Sequence, residues 1–166
     1  MVKVMVDDAS VRIAALRVFL ENKIFLSTVI SLFFAQTLKA VLYIIHNRNK
    51  SMREMIEILT WRTGGMPSSH AAVVSSLVTS VGIVEGITSN LFVFSFWFAL
   101  VVLRDAMGVR RSAGLMAKAL NDLGKQASEK TGLDFRLVKE IQGHTPFEVV
   151  VGSLWGVSIA VGLYLL

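Results

Sequence analysis

Residues 62–77 read Arg-Thr-Gly-Gly-Met-Pro-Ser-Ser-His-Ala-Ala-Val-Val-Ser-Ser-Leu and place glycines, a proline, hydroxyls and a histidine where an apolar helix is expected to begin. A helix start offers unpaired N–H groups and the positive end of the dipole, the physical makings of an anion site. Gly65 lets the backbone approach a ligand closely, Pro67 suits a helix entry, and Ser68 and Ser69 supply hydroxyls. His70 exchanges a proton near neutral pH, and Arg62 adds a permanent positive charge. Further along, His144 and Glu148 stand four residues apart, so a helix puts them on one face. Asp105, Arg110 and Arg111 follow another apolar run, and Lys39 lies near the end of an earlier one. Cations and helix starts converging on histidines are suited to a phosphoryl group.

The elements that must hold these residues are membrane spans. Of the 166 residues 54% are hydrophobic, only 17% are charged and mean hydropathy is +0.62, against about 25% charge in an ordinary soluble domain. Four apolar stretches, Ile24–Ile45, Ser68–Val84, Ile87–Leu103 and Phe147–Leu166, fit the roughly 17 to 25 residues of a spanning helix. The expected fold is therefore all-α, one domain over residues 1–166: a membrane bundle of about four spanning helices. Ala9–Glu21 is expected to be an amphipathic helix at the interface, and it does not resemble a cleavable signal peptide. Met116, Leu120, Leu123 and Ala127 share a helical face, which predicts an amphipathic helix ending near Gly132. A second short helix is expected from Asp134 through Ile141.

Charge sets the expected orientation. The polar segments His46–Pro67 and Arg104–Thr145 hold twelve Lys and Arg residues, and the opposite side has four. The positive-inside rule puts the long segments, and with them the candidate site, at the cytoplasmic face of the cell membrane. The net charge of +5 suits anionic lipid or phosphate, and no motif for reading nucleic acid is present. The absence of cysteine removes disulfides and thiolate chemistry.

Blander roles compete for several residues. Thr145-Pro-Phe-Glu148 is a capping box, so Glu148 serves the helix start, the orientation of His144, or both. Lys39 has the reach to snorkel, and His46 reads as interfacial. Asp105 is equally suited to pairing with Arg110 or Arg111 and to a direct role. Gly82-Ile-Val-Glu-Gly86 and Gly152-Ser-Leu-Trp-Gly156 are close-packing patterns that also permit a homodimer. No recognisable metal-ligand spacing occurs, and the excess of cations favours phosphate over a metal ion.

Three segments, Gly64-Gly-Met-Pro-Ser-Ser-His70, Asp105-Ala-Met-Gly-Val-Arg-Arg111 and Gly143-His-Thr-Pro-Phe-Glu148, resemble in order and spacing the signatures of the divergent branch of the type 2 phosphatidic acid phosphatase superfamily. These membrane proteins are related to vanadium-dependent haloperoxidases, and the likeness runs from about Gln36 to Gly156. The resemblance implies hydrolysis of a phosphomonoester or diphosphate through a phosphohistidine, with neither metal nor other cofactor. By position, His144 would be the nucleophile, Glu148 its orienting acid and His70 the proton donor, with Lys39, Arg62 and Ser69 on the phosphoryl oxygens. Ser69 replaces a glycine of the superfamily pattern and Glu148 an aspartate. Val138 stands where an arginine is usual, with Lys139 beside it as a candidate phosphate-binding residue, and Arg110 or Arg111 is a candidate to supply the missing cation.

The expected function is phosphate release from a membrane lipid such as phosphatidylglycerophosphate or a polyprenyl diphosphate. The alternative is a catalytically weak or inactive protein that binds lipid headgroups as a scaffold.

Overall fold

The computed structural model describes residues 8–46, 65–140 and 143–166. Its elements are α1 (Asp8–Leu20), α2 (Lys23–His46), α3 (Ser69–Glu85), α4 (Asn90–Met107), α5 (Val109–Thr131) and α6 (Pro146–Leu165). The four expected apolar stretches correspond to α2, α3, α4 and α6. Among the described residues, three helices are long and apolar enough to cross a membrane: α2, α6 and the run that begins with α4. The apolar α3 has 17 residues, at the short end of the roughly 17 to 25 that suffice.

α3 is the hub, packed against α2, α4 and α6. What lies between these helices is small: Ser27, Ser31, Ala35, Ala71, Ala72, Ser76, Ser80 and Ala160 are all buried. Phe33, Phe94, Trp97 and Leu154 face outward. This inverts the distribution of a water-soluble core. Lipid is as apolar as a leucine side chain, so nothing drives large side chains inward, and small residues let backbones approach. Along α6, a Cβ at Gly152 would collide with the Ser68 carbonyl, and one at Gly156 with the Ala72 carbonyl. The Gly152–Gly156 pair is thus engaged by α3 within the chain. Hydroxyls tie the same interfaces, with Ser27 and Ser80 paired at 2.6 Å and Ser31 donating to the Ala72 carbonyl at 3.1 Å.

Two expectations need correcting. α1 forms almost as expected, but Val11, Ile13, Leu16, Val18 and Phe19 are spread around its circumference, so no single apolar face exists. The helix expected from Asp134 is absent: residues 133–140 run back along α5 without helical structure, and Ile141 lies outside the described residues. The reason is tertiary. Val138 gives its N–H to Asn121 Oδ1 at 2.8 Å, and its carbonyl accepts from Asn121 Nδ2 at 2.9 Å. Phe135 covers Gly124, where any side chain would collide with its ring. Those contacts outcompete local helix formation. α5 itself ends as expected, with Gly132 in the left-handed conformation (φ 72°) as its cap.

Candidate active site

The start of α3 is fixed from both sides. Ser68 Oγ accepts the Ala71 N–H at 3.4 Å, and the Ser68 N–H donates to the Glu148 carbonyl at 3.1 Å. The N-termini of α3 and α6 are thereby tied together. Pro67 is buried just before the cap rather than in the first helical position. Gly65 has φ 84°, a conformation that side chains disfavour, and a Cβ there would stand 3.3 Å from Lys39 Cε. Lys39, 6% exposed near the end of α2, therefore lies against this turn.

α6 opens with the capping box expected from Thr145 to Glu148. Glu148 Oε2 accepts the Thr145 N–H at 3.3 Å and also meets His144 Nδ1 at 2.9 Å. Capping and orientation are not alternatives: one oxygen does both. A carboxylate can only accept, so an ionised Glu148 keeps the proton on Nδ1 and leaves Nε2 with its lone pair. The backbone of His144 is held too, its N–H donating to the Ala106 carbonyl at 3.2 Å, and the residue is 5% exposed.

Before these helix ends lies a cavity of about 310 Å³, lined by His70, Val101, Val102, Asp105, Ala106, Arg110, Gly143 and His144. The two imidazoles stand 6.4 Å apart between ring centroids, at 61°. Arg110 Nε donates to Asp105 Oδ2 at 2.7 Å across the wall. A second hollow of about 160 Å³ lies farther along the same helices, lined by Ser75, Val78, Thr79, Phe96, Ala99, Leu100, Leu103 and Val157. It is largely apolar.

His70, Asp105, Arg110 and His144 are thus brought together from three parts of the chain, with Glu148 behind His144. Of the two candidate replacement cations, Arg110 faces the cavity. Arg111 lies by its backbone against Gly143, where a Cβ would collide with it. Ser68 and Ser69 are buried at the α3 start and are not part of the cavity lining. Lys139 is exposed on the returning segment, and Arg62 lies outside the described residues.

Sequence reasoning missed the lining contributed by Val101, Val102, Ala106 and Gly143. The valines were legible in principle, being one helical turn before Asp105 and Ala106 on the same face. The Ala106 carbonyl and the Gly143 approach were not, because both depend on how α4 meets the start of α6.

Comparison with known proteins agrees with this picture at the level of ancestry. No solved structure matches the chain. An uncharacterized membrane protein of Bacillus subtilis strain 168, YuiD, is 36% identical over 157 residues, which cover 87% of this chain and 95% of that protein. The Divergent PAP2 family model matches residues 20–159, a stretch that contains every helix end bordering the cavity. With most of its length inside that match, the chain belongs to the Divergent PAP2 family.

Proposed function

We propose that the chain is a membrane phosphatase that removes a phosphoryl group from a lipid phosphate or diphosphate through a phosphohistidine on His144. The observation that carries this reading is the 2.9 Å contact between His144 Nδ1 and Glu148, made beside a cavity that His70 and Arg110 also line. A histidine held by an acid through one nitrogen offers the other as a nucleophile.

In the first step His144 Nε2 attacks phosphorus, the bond to the lipid oxygen breaks, and His70 gives that oxygen a proton. In the second, water attacks the phosphohistidine, His70 takes the water's proton, and the N–P bond breaks to release phosphate. Arg110 offsets the charge on the equatorial oxygens, and Lys39, Arg62, Ser69 and the backbone at Gly65 are proposed to add to that grip. Family membership supports phosphatase-like chemistry. The apolar hollow deeper along α3, α4 and α6 supports a substrate with a hydrocarbon tail. The excess of cations in the segments at this end supports a cytoplasmic-facing site.

One observation favours a second reading, a lipid-headgroup binder without turnover: Arg110 is already paired with Asp105, so a phosphate must compete for it. Purified protein and its His144→Ala and His70→Ala variants, assayed for phosphate release from a panel of lipid phosphates, separate the two. Turnover lost in both variants supports the phosphatase. Turnover undiminished by either substitution sinks that assignment, and stoichiometric binding without turnover in the unaltered protein establishes the second reading.

A further inference from the structure

α5 stands apart from the bundle. It packs on no described helix other than α4. It parts from α4 at Gly108, where φ −104° and ψ −83° depart from helical values. Its 23 residues would extend about 34 Å at 1.5 Å per residue. The chain then returns beside it, through the Asn121–Val138 hydrogen bonds and the Phe135–Gly124 contact, to Gly143 against Arg111. Helix and returning segment together form an arm that begins at the level of the cavity.

The arm covers the wrong face of α5 for a water-soluble element. The returning segment seals Asn121 and Gly124. The apolar stripe, about a quarter turn or more away, stays open: Met116 is 71% exposed and Leu123 64%, with Leu120 between them. Leu133 and Leu137 of the returning segment are exposed as well. Opposite the stripe stand Arg111, Lys118, Asp122, Lys125 and Glu129. Over the whole helix Arg110, Arg111, Lys118, Lys125 and Lys130 outnumber Asp122 and Glu129.

We propose that α5 lies in the headgroup–acyl boundary of the leaflet in which α4 ends, with Met116, Leu120, Leu123 and Ala127 sunk toward the acyl chains and its cations among anionic headgroups. Two observations select lipid over a second copy. α4 delivers the arm to headgroup depth, because the break at Gly108 directly follows a helix run apolar enough to span. An excess of positive charge repels an identical arm and is complementary to an anionic leaflet. The placement does not depend on turnover.

The chain has no cysteine, so single labelling sites are clean. Spin labels at Leu120→Cys, Leu123→Cys and Lys118→Cys, in full-length protein reconstituted in mixed phosphatidylcholine and phosphatidylglycerol vesicles, report depth through relaxation by oxygen and by a water-soluble nickel chelate. The expected result is a several-fold preference for oxygen at positions 120 and 123, with the chelate favoured at 118. Equal access of the chelate to all three positions overturns the proposal. So does burial of the 120 and 123 labels accompanied by short label–label distances between copies, which would make the stripe a protein interface.

Discussion

With Glu148 Oε2 meeting both the Thr145 N–H and the His144 ring, one carboxylate caps α6 and fixes the imidazole. Glu148→Gln dissects the two, because glutamine preserves a capping box while losing the charge that holds the proton on Nδ1. The expected outcome is a fall in kcat of about 10²- to 10⁴-fold, the usual range for disabling positioned acid–base chemistry, with helix content and thermal stability little changed. An unchanged kcat would reduce Glu148 to a cap. Arg110 is placed to act on binding as well as on charge. Arg110→Ala should raise KM by roughly ten- to a hundred-fold, the scale of one charge-assisted hydrogen bond, measured by steady-state kinetics on a lipid phosphate. The meeting of His70 and His144 at one cavity was legible from their places at the starts of apolar runs, and the Glu148–His144 contact from their spacing of four, while the roles proposed for them rest on the family resemblance. Ser68 shows the limit of that reasoning: a hydroxyl at a helix start signals an anion site and an N-cap equally, and here its Oγ caps α3.

At the scale of elements, the four apolar runs and the Gly132 stop were legible because hydropathy and capping are local properties. What sequence could not reveal was set by contacts between distant elements. Asn121 in mid-helix looks like a solvated residue, yet it binds both backbone groups of Val138 and converts an expected helix into a returning strap. The roles of Gly152 and Gly156 follow the same logic. Gly156→Ala puts a methyl into the Ala72 carbonyl, a backbone atom that cannot swing aside, and should destabilise the α3–α6 pair by about 1–3 kcal/mol. Gly162→Ala on the same helix meets nothing within 4 Å and should stay within about 1 kcal/mol of the parent. Thermal unfolding of both variants in detergent checks the contrast. Equal effects would mean that the close approach of α3 to α6 contributes little.

For the whole molecule, the outward-facing large side chains and the interior of alanine, serine and glycine follow from the bilayer as solvent. The short turn before α4 and the arm with its returning segment should then lie on opposite sides of the membrane. In a cysteine-free background, an impermeant thiol reagent added to intact cells should label Thr88→Cys, exposed in the turn, and should reach Arg136→Cys only after permeabilisation. The reverse pattern would move the cavity to the outer face. The phosphohistidine is the central claim, and trapping it is the most direct measurement. Protein given a lipid phosphate labelled in its terminal phosphoryl group is quenched in alkali and mapped by proteolysis. Acid-labile label on the peptide carrying His144, absent from His144→Ala, is the predicted result. Turnover with no label at His144, or equal label in His144→Ala, would contradict it.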